Sequence, residues 1–266
     1  MLFMTPLLLY KPKGLTPLQA VTLLKKQHPE VADQTLSYAG RLDPIAEGLL
    51  LILPGELNKK RKEYEDFEKT YAFTLLCGVS TDTYDPLGKI VQTTDSHLDE
   101  KGIQKTLEKI LTTLPSSFLL PYPPYSSKPV QGKPLFWWAR QNKISEIPIP
   151  TRRVSITSIT LLSSTLLETS VLHKNIKEAI LLVSGDFRQE EILKKWDDFF
   201  AHTPLSHFPL FSFQITCGSG TYIRSLCQLF GEKLLIPSLA YSIKRTRIGP
   251  YSLADNDVYY IKTMQA

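Results

Sequence analysis

The 266-residue sequence predicts an α+β protein with a mixed or antiparallel sheet, and three observations lead there. Apolar residues alternate at Tyr71, Phe73, Leu75 and Cys77, and again at Phe211, Phe213, Ile215 and Cys217, which marks two half-buried strands. Between and after them the spacing turns helical, at Ile103, Leu107, Ile110, Leu114 and at Ile223, Leu226, Cys227, Phe230. Strands and helices follow one another without the regular strand–helix–strand rhythm of a parallel sheet. A chain of this length buries a sizeable core as one large domain or two small ones.

The elements follow in order. Thr16-Pro17 reads as an N-cap and a first-turn proline, opening a helix to about Gln27 with Leu18, Val21 and Leu24 on one side. Residues 70 to 78 form a strand, the turn-rich "STDTYDPLG" follows, and "GKIVQTT" would be the hairpin partner of that strand. Ser96 and Asp99 have capping-box spacing ahead of the helix carrying Leu98 to Leu114. Residues 118 to 150 hold seven prolines and suggest an extended, partly ordered arm. Residues 163 to 208 look like an addition to the core and contain an amphipathic helix with Phe187, Ile192, Trp196 and Phe200. After residues 211 to 217 a Gly-Ser-Gly turn leads into the helix that carries Arg224.

Composition narrows the class. Hydrophobic content of 42% and charged content of 21% fit a soluble globular protein. No apolar run approaches the roughly 20 residues of a membrane span. The first residues lack both the basic and the continuous apolar regions of a signal peptide. Three cysteines with no CxxC point to a reduced, cytoplasmic setting. The net charge of +5 is localised: residues 118 to 153 hold Lys128, Lys133, Arg140, Lys143, Arg152 and Arg153 against Glu146 alone, and the rest of the chain sums to zero. Tyr122, Tyr125, Phe136, Trp137 and Trp138 interleave with these cations, a pattern suited to phosphates and stacked bases. Five scattered histidines with no HxxxH argue against a catalytic zinc, and no cofactor is expected.

One carboxylate stands out. Asp43 sits in "SYAGRLDPIAEGLLLILPGE", between a Gly-Arg-Leu turn and an aliphatic run. Two readings are open from the residues themselves: a cap for a helix starting at Pro44, or an acid fixed at the rim of a rigid, water-poor pocket. No second acid lies closer in sequence than Glu47, which disfavours a paired-carboxylate hydrolase.

Six motifs in order resemble the TruB-type tRNA pseudouridine synthases: "KPKGLTP" (11 to 17), "GRLDPIAEGLLLILPGE" (40 to 56), "KTYAFTLLCGVSTDTYDPLGKI" (69 to 90), "PPYSSKPVQGKPLFWWAR" (123 to 140), "CGSGTYIRSLCQLFGEKL" (217 to 234) and "RTRIGPY" (245 to 251). The resemblance implies a pseudouridine-synthase-like sheet, mixed and largely antiparallel, with flanking helices and an inserted RNA-gripping arm at 118 to 153. It implies isomerisation of the T-loop uridine at tRNA position 55, with Asp43 as nucleophile, Tyr71 against the flipped uracil and Arg224 paired to Asp43. Lys11 and Tyr222 would line the pocket or the phosphate path, and Ile243 an apolar wall. Lys128, Lys133, Arg140, Arg152 and Arg153 would grip the tRNA T-arm. Residues 1 to 251 would be the catalytic domain and 252 to 266 a short tail without the family's usual PUA domain. A monomer with no obligate protein partner and no membrane is expected. Tyr38 stands where the family usually has histidine, and Arg41 where it usually has a small residue; both would bear on substrate choice. The 163 to 208 segment is absent from the usual family pattern. Arg41 and the missing tail keep open a synthase for another RNA, such as a ribosomal one, and a non-catalytic tRNA-folding factor is the rival of another class.

Overall fold

The computed structural model describes residues 5–255 and 257–263. The chain opens with β1 (Leu7–Lys11), α1 (Pro17–Gln27) and the short α2 (Pro29–Ala32). Thr16 caps α1 as its sequence suggests. Its hydroxyl accepts from the Gln19 amide at 3.2 Å, and the Gln19 side chain accepts from the Thr16 amide at 2.7 Å. β2 (Leu36–Ala39) and β3 (Glu47–Pro54) follow, then α3 (Arg61–Asp66). The aliphatic run of β3 is covered on both faces, as such continuous runs require. Leu50 and Ile52 pack with α1, while Leu49, Leu51 and Leu53 pack with Tyr64 and Phe67. No helix begins at Pro44: the Ala46 amide bonds the Asp43 carbonyl at 3.1 Å, and after that one turn Glu47 enters the sheet.

Next come β4 (Lys69–Cys77), β5 (Val79–Thr81), β6 (Ile90–Thr93) and α4 (Glu100–Thr113). The hairpin expected between residues 70–78 and 88–94 forms elsewhere: β6 pairs with β5 in a separate two-stranded sheet. Gly78 is the reason. At φ +112°, with its amide bonded to the Pro237 carbonyl at 2.7 Å, it turns the chain out of the main sheet before the hairpin starts. The capping box at Ser96 does not form either. Asp99 itself is the N-cap and Gly102 holds the third helical position, so the reciprocal partner is missing. Leu98 and Ile103, flanking that cap, pack in one cluster and fix the helix entry in its place.

β7 (Ser117–Pro121) leads into β8 (Pro129–Val130), β9 (Lys133–Pro134) and α5 (Leu135–Arg140). The proline-rich arm is therefore folded rather than extended. It has its own small core of Tyr122, Leu135 and Ile147, and Trp138 joins it with its indole N–H on the Val130 carbonyl at 3.1 Å. β10 (Thr151–Glu168), α6 (Thr169–Leu181), α7 (Gln189–His202) and β11 (His207–Cys217) come next. Residues 163–168 continue β10 and pair with 207–212, so only 169–206 leave the sheet, as the helical pair α6–α7. α8 (Ile223–Leu234), β12 (Ser238–Ile248), β13 (Tyr251–Ser252) and β14 (Val258–Tyr260) complete the described chain.

One large sheet runs in the order β14-β1-β3-β12-β4-β11-β10-β7, with β2 on β3 and β13 on β12. Only β1–β14 and β3–β12 are parallel, which gives the mixed, largely antiparallel sheet that the sequence predicts. Helices α4 and α8 cover one face of its centre over Phe73, Leu75, Phe213 and Ile215. The pair α6–α7 covers the other over Leu76, Phe208 and Leu239. Trp196 on α7 is fully buried there, and its indole N–H donates to the Pro86 carbonyl at 3.1 Å. Replacing Trp196 with alanine removes an aromatic core side chain and a carbonyl's partner, and should cost about 3–5 kcal/mol in a denaturant titration. A loss below about 1 kcal/mol would contradict this packing role.

Candidate active site

Asp43 stands in the loop between β2 and β3, and buried cations clamp that loop at both ends. Arg245 on β12 donates from Nε to the Leu49 carbonyl at 2.8 Å, from Nη2 to Gly40 at 3.2 Å and from Nη1 to Arg41 at 3.3 Å. β12 approaches so closely that a Cβ on Gly48, at φ +114°, would lie 2.2 Å from the Arg245 carbonyl oxygen. At the other end Pro44 is held through its carbonyl, which accepts from the Gly14 amide at 2.8 Å and from Lys11 Nζ at 3.5 Å. Lys11 does not line the cleft as expected. It is fully buried, with Nζ also on the Leu15 and Pro12 carbonyls at 2.7 and 3.0 Å. Burial lowers its pKa to about 7, against the attraction of Asp43.

Arg224, at the start of α8, turns this acid into a fixed group. Its Nε donates to Asp43 Oδ2 at 2.7 Å and its Nη2 to Oδ1 at 2.9 Å, a two-point fork that sets both position and plane of the carboxylate. The guanidinium is 3% exposed, and Asp43 is 34% exposed and open to the cleft. Two further donors go to backbone: Nη1 to the Thr83 carbonyl at 2.8 Å and Nη2 to the Tyr125 carbonyl at 3.2 Å. Behind it, Asp85 Oδ2 lies 3.6 Å from Nε. Asp85 is itself held by the Thr83 hydroxyl at 2.7 Å and the Leu87 amide at 2.9 Å. Burial pushes the Asp85 carboxyl up to about 6, although Arg224 pulls it down.

Asp43 opens into a cleft of about 790 Å³. Tyr71 and Ile243 line it beside Leu42 and Ala46, so the wall next to the acid is apolar and aromatic. Burial raises the Tyr71 phenol, with Arg245 opposing. Tyr38, Arg41 and Tyr222 also line the cleft. The Arg61 guanidinium sits 5.5 Å from the centre of the Tyr38 ring, and Arg41 is exposed. Tyr222 meets Tyr122 edge-on at 5.4 Å.

Of the basic arm, Arg140 and Arg152 reach the cleft. Arg152 donates to the Ser219 hydroxyl at 3.2 Å, whereas Arg140 is tied to the Asp186 carboxylate at 3.1 Å. Lys128 and Lys133 lie over the rings of Tyr122 and Trp137 at 5.3 and 5.6 Å, and Arg153 is exposed on β10; none of these three lines the cleft. Sequence reasoning missed Asp85, Lys69, Arg245 and the loop Asp186–Arg188, all of which line the cleft. Lys69 lies two residues before Tyr71, is nearly buried, donates to the Glu65 and Phe67 carbonyls and is lowered to about 8 by burial. The signals were present in part: Lys69 and Arg245 sit inside the quoted "KTY" and "RTR" motifs, and Asp85 inside the turn read only as a hairpin.

A family model described as "TruB family pseudouridylate synthase (N terminal domain)" matches residues 30–177, more than half of the chain. The chain belongs to the TruB family of pseudouridylate synthases. Proteins named tRNA pseudouridine synthase B from Bacillus cereus and Oceanobacillus iheyensis are 30% and 31% identical to it, over 93% and 92% of the chain. The aligned part covers 67% and 65% of those relatives. Among solved structures, one of a Cbf5-Nop10-Gar1 complex superposes with a TM-score of 0.56 at 16% identity, covering 96% of this chain and 51% of the other. That likeness is one of fold. In this TruB-family chain, the raised Asp85 carboxyl has a measurable consequence. A group that holds its proton more tightly folded than unfolded contributes stability that is fully present below about pH 4 and is lost as pH rises through about 6. Asp85→Asn should flatten that segment of the stability–pH profile, read as denaturant midpoints between those values; parallel profiles for the two proteins would contradict the assignment.

Proposed function

We propose that this chain isomerises uridine to pseudouridine in tRNA, at the T-loop uridine, with Asp43 as nucleophile. The observation that carries the proposal is the forked Arg224–Asp43 pair beside the Tyr71–Ile243 wall, in a chain of the TruB family. A base inside a folded RNA is out of reach, so the enzyme must receive it unstacked in a slot with an apolar or aromatic face. Tyr71 and Ile243 supply that face next to the carboxylate. The fork removes the rotational freedom of Asp43, and each carboxylate oxygen keeps acceptor capacity beyond its one bond to Arg224. The base is detached, turned and rejoined through carbon, a rearrangement that moves one proton and transfers no electrons to a partner. In this reading Tyr71 lies against the base and assists that proton's departure from C5.

Tyr38 and Arg41 at the mouth are the residues we assign to substrate choice. Arg152 and Arg140 are assigned to the RNA backbone, with Tyr222 beside them, and Lys128, Lys133 and Arg153 to its more distant parts. Among the described residues no helix is long and apolar enough to cross a membrane. A cytoplasmic enzyme acting as a monomer fits these features and the free cysteines.

Unmodified tRNA incubated with the protein should gain pseudouridine at the T-loop, mapped at single-nucleotide resolution, and Asp43→Asn should form none. Product made equally by the variant removes Asp43 from its role. Product only on other RNAs moves the substrate, and tRNA binding with no product on any RNA favours a folding factor. tRNA affinity should fall at least about tenfold between about 50 and 200 mM salt if the arm tracks several phosphates. A flat response would return those cations to an ordinary solvated surface.

A further inference from the structure

Arg188 lies in the linker between α6 and α7, outside every motif that carries the family resemblance. Its side chain is 15% exposed and makes two contacts at once. Nη1 and Nη2 fork onto Asp82 at 2.7 and 3.3 Å, and the guanidinium carbon sits 4.2 Å from the centre of the Tyr125 ring. Asp82 belongs to the turn after β5, and Tyr125 to the arm. These are the two segments from which Arg224 hangs, through the carbonyls of Thr83 and of Tyr125 itself. The Tyr125 phenol also meets the Asp82 carboxylate directly, which adds to the effect of burial in raising its pKa; Arg188 ties the two segments further by packing its side chain against both. The turn is tied to the same helical pair twice more, by the Trp196 N–H on the Pro86 carbonyl and by the Lys89–Glu191 ion pair.

We infer that Arg188 is a positioning residue: by clamping the 81–85 turn to Tyr125 it fixes Arg224, and through Arg224 the attacking geometry of Asp43. The inference rests on the function proposed above. The alternative, that Arg188 simply contacts RNA phosphate, fits the geometry less well. Each terminal nitrogen already bonds Asp82 and one face of the guanidinium is covered by Tyr125, so a phosphate would reach only the remaining N–H groups, against the repulsion of the adjacent carboxylate. A misplacement of the carboxylate by a fraction of an ångström lowers the rate of the chemical step while leaving the grip on tRNA largely intact.

The test separates these roles. Arg188→Ala, Arg188→Lys and Asp82→Asn are compared with wild type in single-turnover pseudouridine formation at saturating enzyme, and in tRNA binding. The single-turnover rate should fall at least about tenfold in Arg188→Ala, with the tRNA Kd within about threefold of wild type. Lysine should recover only part of the rate, since an ammonium has neither fork nor plane. Asp82→Asn should also slow the step, and the double variant should lose less than the product of the single losses. Amide exchange in residues 81–85 and 122–127 should quicken in Arg188→Ala. An unchanged rate, or a loss confined to Kd, overturns the inference. If Arg188→Ala fails to fold, Asp82→Asn carries the same two criteria. If wild type forms no product on tRNA the function proposal fails, and the exchange data then decide: unchanged protection of both segments overturns the positioning role, and loosening of both supports it.

Discussion

A guanidinium with almost no access to water must find acceptors for its N–H groups inside the protein, and the site of this chain is arranged around that demand. Arg224 is 3% exposed. Leaving such a cation unpaired would cost several kcal/mol, so its neighbours are constrained as strongly as any core residue. Asp43 meets the demand on the cleft side, the Thr83 and Tyr125 carbonyls on the others, with Asp85 behind. The constraint is reciprocal: the acid that satisfies Arg224 is thereby held in one orientation while a third of it stays open to the cleft. Stability of the buried arginine and preorganisation of the carboxylate are the same set of contacts.

Two further buried cations, Lys11 and Arg245, spend their donors on backbone carbonyls of the same loop or its neighbours. Carbonyl oxygens pull on a cation without adding charge, so the loop is tied down without a ring of carboxylates competing with Asp43. The burial of Lys11 has its own cost, visible in a pKa brought down to about 7. Asp85 shows the mirror effect, pushed up to about 6. Lys11 can shed its charge near neutrality and Asp85 below about pH 6, which limits the strain of packing several ionisable groups around one carboxylate.

Much of this was legible in the residues, and the failures have physical causes. Alternation at Tyr71 to Cys77 and Phe211 to Cys217 located the two central strands, because a strand buried on one face has little freedom in its pattern. Thr16-Pro17 located α1, because the cap is local. Long-range pairing was not legible: that β4 takes β11 and β12 as partners while β6 goes to β5 depends on Gly78 turning the chain, and a glycine in sequence does not say which way. The ends of the 163–208 segment were misplaced because the Ser and Thr of that stretch of β10, paired on one side only by β11, carry no apolar alternation. Among site residues, Asp43 and Arg224 were reachable through motif resemblance although 181 positions apart. Lys11 was not correctly placed because a lysine's side chain reaches either way from its strand, and only the packing of the 12–15 loop determines that Nζ turns inward. Asp85 looked like a turn residue, and it is one; its second task appears only when α8 is brought against the turn.

The placement of Tyr71 shows how the sheet itself shapes the site. Tyr71 pairs across β4–β12 with Arg245, and immediately past that pair the register slips, so that Thr70 faces Arg247 and Thr246 is the extra residue. A bulge bends its strand and re-aims the side chains next to it. Here it falls immediately past the residue that packs the cleft wall and the residue that clamps the Asp43 loop, with the Thr246 hydroxyl returning to the Thr70 carbonyl at 3.2 Å. Between this bulge and an earlier one at Tyr241 the ladder is regular, and Ile243 sits opposite Phe73, extending the apolar wall. Downstream the inserted residue returns Ile248 to the face of Arg245, opposite Lys69, where it joins the cluster under Phe67 and Tyr251. One inserted residue therefore lets a single strand serve the cleft at Ile243 and Arg245 and the core beneath the N-terminal sheet at Ile248. A ladder without the bulge would have to give up one of the two, since the alternation of a regular strand fixes which face every later residue meets.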